Sequence, residues 1–359
     1  MVAQLKRFHH IGRVGGVLLR VHVLTYLLPI LALGYGAFRG VAGAELLWLL
    51  AFVVAVVACV LLHETAHALA ARAFGVAVHD ILLLPIGGAA RLERLPDTGL
   101  QEAGVVLAGP LTNLVLGLLL LPAVFALAPA QRFLWEGNFT GPALVASLAV
   151  FNLIVFGLNL LPVFPLDGGR LLRAVLSSRT SRLRATRITA AVARLATLAG
   201  IAYVTYLGEY LFVLPLGYFF VVAGREVHLA CVQQFLEGEQ LGTHARGVRV
   251  FDPSAPVADV LHQLERNRHA GAVIADECCP IGFVTPRLLH RAPDPQAPVG
   301  TLEMHTVVCH DSHVSLKDIS QQFSSRPRSV AIEEMDGRPA GYLDLDGLTA
   351  AFEAYRVGR

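Results

Sequence analysis

Residues 45–70 read ELLWLLAFVVAVVACVLLHETAHALA. Everything between Glu45 and His63 is apolar, and the run is long enough to cross a bilayer, which takes about 20 residues. It ends in Leu61-Leu62-His63-Glu64-Thr65-Ala66-His67. Ionisable side chains at the end of a lipid-crossing helix are costly to insert, and such residues mark function. Working outward, comparable runs recur on both sides. The expected spans are 17–38, 45–70, 104–128, 143–161, 188–206 and 210–227. The sequence therefore predicts an all-α membrane domain, a bundle of six transmembrane helices.

Composition agrees. The 359 residues are 55% hydrophobic and 16% charged, against roughly 25% charged in soluble chains. That excludes a disordered polymer and a nucleic-acid-binding tail, and no direct nucleic-acid partner is expected. Residues 1–230 hold 17 Lys/Arg and 10 Asp/Glu, whereas residues 231–359 hold 12 and 17. We read a greasy, basic domain over 1–232, a polar linker over 233–246 and a soluble, slightly acidic domain over 247–359. Cys59, Cys231, Cys278, Cys279 and Cys309 form no CxxC and no disulfide framework, which fits a reducing compartment. Arg20 and His22 inside the first run argue against a secretion signal.

Orientation follows the cations. Lys6, Arg7 and Arg13 precede the first span, and Arg72, Arg91 and Arg94 lie between the second and third. Six arginines, from Arg170 to Arg187, follow the fourth. The opposite loops offer little beyond Arg39 and Arg132. Six spans in a cell membrane then leave both termini cytoplasmic.

His63 and His67 are four apart, so one helix face turns both imidazoles toward one metal ion, with Glu64 about 100° round. A histidine pair satisfied within an ordinary helix is the alternative, and membrane depth weighs against it. Zinc in a hydrolase normally takes three protein ligands. The candidate third is Asp167, in Asn159-Leu160-Leu161-Pro162-Val163-Phe164-Pro165-Leu166-Asp167-Gly168-Gly169-Arg170. The two prolines break the fourth span, and the glycine pair allows a close turn. Irregular backbone at membrane depth survives only inside protein or beside a wet cavity. Asp167 as a plain helix cap is the alternative, and Asp80 and Glu93 are rival ligands. Zinc makes water nucleophilic near neutral pH, and Glu64 would take its proton and pass it to the leaving amine.

His63–His67 followed by residues 159–169 resembles the site-2 proteases, intramembrane zinc metalloproteases that carry HExxH on one helix and an NxxPxxxLDG-type motif on another. Residues 108–113, AGPLTN, are similar to the family's GPxxN segment, and residues 85–93, PIGGAARLE, to a glycine-containing hairpin beside its active site. The resemblance covers 1–230 and has no PDZ-like insertion, as in a compact six-helix branch. It implies His63, His67 and Asp167 as zinc ligands and Glu64 as catalytic acid/base. It also implies regulated intramembrane proteolysis of a single-pass membrane protein, such as an anti-sigma factor or a membrane-bound transcription-regulator precursor, in contact with membrane lipid. The cations place the scissile bond near the cytoplasmic side. Residues 76–95, turning at Gly87-Gly88, read as an edge strand that pairs with unwound substrate. Asn113 and Asn159 are candidate amide donors to that substrate, with helix-to-helix hydrogen bonding as the alternative.

Beyond residue 246 the chain repeats at a period of about 59. Residues 272–276 correspond to 330–334, and Gly282-Phe283-Val284-Thr285 to Gly341-Tyr342-Leu343-Asp344. Each unit, about 247–293 and 303–357, reads as strand, helix, two strands, helix. This resembles a tandem CBS pair (a Bateman module), an α/β cytoplasmic module, which implies ATP or AMP in its cleft and dimerisation through the pair. The ligand motif departs from the family pattern. Thr285 is kept but Leu288 stands where an Asp belongs; the second copy offers Asp344 and a displaced Asp346. A structural or dimerising role is the alternative. His305, His310 and His313 are read as solvent-facing. CBS pairs also sit on transport proteins, so a CBS-regulated transporter or channel with a zinc site competes with the protease. It predicts inverted repeats, which the sequence lacks, and leaves Glu64 unexplained. An inactive zinc-binding scaffold, the third reading, is likewise disfavoured by Glu64.

Overall fold

A computed structural model describes residues 8–85, 87–94, 96, 98–126, 140–276, 279–326 and 328–357. Lys6, Arg7, Ile86, Leu127, Ala128, Arg132 and Cys278, used in the sequence reading, lie outside the described residues. The chain divides into two compact units, Met1–Val227 and His228–Arg359.

The described residues contain five helices long and apolar enough to cross a membrane. These are α2 (Ala44–Ala73), α3 (Gly99–Ala126), α4 (Gly141–Asn159), α6 (Arg182–Tyr206) and α7 (Val213–Gly238). Their outward side chains are apolar, among them Leu119, Phe125, Leu195 and Leu214. Glycines let the helices touch. A Cβ at Gly117 would come within 2.7 Å of Leu153, and one at Gly36 within 2.7 Å of Leu46. Two shorter helices complete the unit, α1 (Leu27–Phe38) and α5 (Asp167–Ser177).

The unit is not all-α, and the expected first span, 17–38, is only half helical. Val17–His22 is a strand, β2, and the helix begins after a 3-10 turn at Val23–Tyr26. The reason is local. Val17, Leu19 and Val21 are buried while Leu18, Arg20 and His22 are less so, the two-residue period of a strand rather than a helix. Gly15 and Gly16, both at positive φ (56° and 81°), close the tight turn from β1 (Phe8–Val14). β2 pairs in parallel with β3 (Val78–Leu84), and β3 antiparallel with β4 (Gly87–Leu92). The sheet runs β1-β2-β3-β4, so β4 is an edge. Its inner face, Val17, Leu19, Val21, Ile81 and Leu83, packs with Ala68, the residue that follows the HExxH sequence.

Asp80 is not a metal ligand. It is almost fully buried in β3 and pairs with Arg20 Nε of β2 at 3.1 Å and with Arg91 Nε of β4 at 2.5 Å. One carboxylate thus ties three strands together, and its hydrogen bonds hold the Arg91 guanidinium above its ordinary pKa. Glu93 follows β4, and its backbone N–H donates to Ala77.

In the second unit the period is visible residue by residue. Helices α9 (Val257–Arg266) and α10 (Leu316–Ser325), and hairpins β7–β8 (Ala272–Asp276, Cys279–Val284) and β10–β11 (Val330–Met335, Arg338–Leu343), repeat one plan. Their sheets are ordered β6-β7-β8 and β5-β11-β10-β9, with β5 at Arg246–Gly247, β6 at Arg249–Phe251 and β9 at Val307–Asp311. The two copies share a core in which Phe283 and its counterpart Tyr342 stack with ring centroids 4.7 Å apart. Residues 233–246 are not a loose linker. α7 continues to Gly238, α8 spans Leu241–His244, and Phe235 and Leu241 are fully buried, Phe235 against Phe352.

Asp80→Ala should lower stability by about 1–3 kcal/mol, since both arginines can partly rehydrate. Thermal unfolding of the detergent-solubilised chain checks this, with Asp80→Asn expected between the two.

Candidate metal centre

The site is built on α2, α3 and α5. His63 and His67, one turn apart on α2, stand with Nε2 atoms 3.1 Å from each other. Asp167 is the first residue of α5, where a helix N-terminus favours an anion. Its Oδ2 lies 3.2 Å from His63 Nε2 and 3.4 Å from His67 Nε2. All three residues are buried, and they form the one group of at least three potential ligand residues found among the described residues.

The far side of each imidazole fixes its tautomer. His67 Nδ1 donates to the Val105 carbonyl at 2.8 Å, and His63 Nδ1 to Asn113 Oδ1 at 2.5 Å. Both Nε2 lone pairs therefore point inward, at a carboxylate. Three acceptors without a proton between them repel one another unless a cation joins them. A tetrahedral zinc ion with bonds near 2.0–2.1 Å holds its donors about 3.3 Å apart, so the donor set and its spacing fit zinc.

α3 acts as the backing beam. Val105, Gly109 and Asn113 recur every four residues and form one stripe along α3, which touches both histidines. A Cβ at Gly109 would stand 2.3 Å from His67 Nε2 and 2.7 Å from His63 Cε1, so only glycine fits there. Asn113 Nδ2 in turn donates to Asn152 Oδ1 of α4 at 2.9 Å, and Asn152 to the Leu148 carbonyl. Asn113 thus joins His63 to α4 through both ends of its amide, the helix-to-helix bonding that was the alternative to substrate contact. Asn152 was missed, although a buried amide in the middle of an apolar span was the available signal. Asn159 ends α4, half-buried, with no side-chain hydrogen-bond partner among the described residues.

Two prolines end α4 as expected, and α5 restarts at Asp167 without a side-chain cap. Gly168 and Gly169 are helical and serve a different purpose from the expected turn. A Cβ at Gly168 would lie 2.2 Å from the Leu161 carbonyl oxygen, and one at Gly169 2.8 Å from Phe164 N. Bare backbone brings the start of α5 down onto the broken segment. A buried ionic cluster anchors the rest of this helix. Arg173 Nη2 donates to Glu102 Oε1 of α3 at 2.7 Å and Nη1 to Glu226 at 3.3 Å, while Arg182 of α6 reaches Glu102 at 3.1 Å.

Glu64 turns to the sheet. Its Oε2 accepts from the Ala90 N–H of β4 at 3.1 Å, and a Cβ at Gly88 would sit 2.4 Å from its Cγ. Gly88 is required for the strand to pass over the carboxylate. Gly87, at φ 109°, opens the strand. In the second unit, Thr285 and Asp344 occupy equivalent places and each caps a helix start, accepting from Leu288 N at 3.4 Å and Gly347 N at 2.7 Å. Asp346 is exposed. The repeat explains these residues as caps.

An HExxH helix and a distant aspartate, meeting at one end of an apolar bundle, define a membrane metal-site protein. Residues 51–140 and 136–203 match the model of Peptidase family M50. The matched segment, 51–203, holds His63, Glu64, His67 and Asp167. A zinc metalloprotease of Methanocaldococcus jannaschii is 34% identical over 174 residues, 48% of this chain and 47% of that protein. Stage IV sporulation protein FB of Bacillus subtilis is 32% identical over 164 residues, 45% and 50% of the respective chains. The chain therefore spans about half the length of these relatives. Among solved structures, a site-2 protease from Methanocaldococcus jannaschii superposes with a TM-score of 0.45 at 26% identity, covering 61% of this chain and 95% of that one. A CBS-domain-containing hemolysin-like protein of Oenococcus oeni gives 0.31 at 15% identity, covering 34% and 96%.

Asn113→Ala should weaken zinc binding by about 10–100-fold, the usual cost of losing an outer partner, as measured by chelator competition. Gly109→Ala should prevent stoichiometric zinc binding altogether. Arg173→Met, which leaves the buried Glu102 with Arg182 as its remaining partner, should cost about 1–3 kcal/mol of stability.

Proposed function

We propose that the chain is an intramembrane zinc metalloprotease that hydrolyses a peptide bond near the end of a substrate's transmembrane segment. The observation that carries this is the buried His63, His67 and Asp167 triad with Glu64 beside it, at the end of a span and against an open strand edge. When bound, zinc supplies Lewis acidity and a nucleophilic water near neutral pH. His63, His67 and Asp167 would hold it. Glu64, anchored through Oε2 to Ala90, keeps Oε1 to take a proton and later deliver it to the leaving amine.

A helical substrate hides its amides, so it must be unwound before attack. β4 supports that task. Because Ala90 donates toward Glu64, and Glu93 donates toward β3, the alternate groups of Gly88, Ala90 and Leu92 point away from the ladder. An unwound segment adding to this edge comes beside Glu64. Asn159, whose amide has no side-chain hydrogen-bond partner among the described residues, is the remaining side-chain candidate for substrate contact. Arg72, Arg91, Arg94, Arg170 and Arg179 all belong to the end of the bundle where the site lies, which supports a cytoplasmic position for the scissile bond. The β2–β3 pairing draws the N-terminal strands to that same end. We read the substrate as a single-pass regulatory membrane protein and the second unit as a CBS-type module.

Glu64→Gln should retain zinc and lose cleavage of a model transmembrane substrate by about 10²–10⁴-fold; equal activity of the two proteins would refute the protease. Chelation should abolish the wild-type activity, with zinc restoring it. Leu92→Pro leaves the β3 ladder intact but removes an outward N–H that Glu64 does not use, so KM should rise without loss of zinc. An unchanged KM sinks strand addition.

A further inference from the structure

α6 carries a charge where a spanning helix is least able to hold one. Arg194 stands midway between Arg182 and Tyr206, and it is exposed. Arg184 and Arg187 are exposed too, and at 100° per residue the three fall within an arc of about 80° over roughly 15 Å of helix. α6 contains no Asp or Glu. Among the described residues of the first unit, the ion pairs use Arg20, Arg91, Arg173 and Arg182, and none reaches this stripe. Exposed Leu195 and Leu198 flank Arg194, so the surface around it is apolar.

The guanidinium is nevertheless held in place. It lies 5.3 Å above the Phe220 ring of α7, and a Cβ at Gly224 would be 2.4 Å from its Nη2. A long arginine near a bilayer edge can lift its head into water. Here the head is laid into a groove between two spans, over an aromatic ring. An uncompensated charge on a lipid-facing surface costs at least about 2.5–3.5 kcal/mol, so a counter-anion must come from the surroundings. Guanidinium forks match phosphate oxygens bidentately, and basic pockets between spans accept lipid head groups.

We propose that the α6–α7 groove binds an anionic phospholipid, its phosphate held by Arg187 and Arg194, with Gly224 giving the Arg194 guanidinium room to lie in the groove. This rests on reading the first unit as membrane-spanning. It concerns a face whose residues take no part in the metal centre.

Native mass spectrometry of the full chain, released from detergent with added phosphatidylglycerol or phosphatidylcholine, tests it. Phosphatidylglycerol should be retained about tenfold better. Arg187→Gln/Arg194→Gln should remove most of that preference, whereas Arg13→Gln, which deletes a charge elsewhere, should preserve it. Equal retention of the two lipids, or a double variant that behaves like wild type, would overturn the site. Full competition by millimolar inorganic phosphate would show a free-phosphate site and overturn the lipid assignment. Extraction of the chain from membranes by alkaline carbonate would instead remove the membrane-spanning reading beneath it, an outcome separate from lipid preference.

Discussion

Two imidazole nitrogens and a carboxylate oxygen, all acceptors, are brought within 3.1–3.4 Å of one another in buried surroundings. The rest of the first unit is arranged to tolerate that convergence. The stripe of α3 does most of it: Val105 and Asn113 turn the histidine protons outward, and Gly109 gives the imidazoles room. One turn before Val105, Glu102 grips Arg173 and hence the helix that begins with Asp167. A single helix therefore references all three donors to one another. Donor spacing here is a property of α3 as much as of the ligands themselves.

The second constraint is that proton chemistry and strand chemistry share an edge. Glu64 belongs to the helix and Ala90 to the sheet, and one hydrogen bond joins them across Gly88. The sheet keeps its position through Asp80, which clamps β2, β3 and β4 from within. A four-stranded sheet beside a membrane helix is unusual cargo for a greasy domain, but its apolar face lies on α2 and its open edge meets the site.

Much of the site was legible in sequence because its signals were local and strong. HExxH fixes a face of one helix, and Pro162, Pro165 and Asp167 mark a broken span whatever the surroundings. The roles of Asn113 and Asn152 were not legible. An amide in an apolar run announces that it needs a partner without saying which, and only the packing of α3 against α4 decides it. The first span failed for a related reason. Residues 17–38 are apolar throughout, and a long run hides the two-residue alternation of β2, whose partner β3 comes about 60 residues later. The glycines at 168 and 169 were read as turn formers. They are helical, and their value lies in which backbone they allow to approach. In the second unit the period survived in sequence, so its plan could be read, while the capping use of Thr285 and Asp344 required the helix starts to be seen.

The hundred residues between His67 and Asp167 have a consequence for synthesis. At about 5–20 residues per second, the aspartate leaves the ribosome roughly 5–20 seconds after the histidine pair. During that interval the pair alone offers two of the three donors, and the aspartate arrives only once α3 and α4 have been made. A ligand set divided this way makes the metal site a late assembly checkpoint. A half-built bundle therefore holds two donors and no complete site.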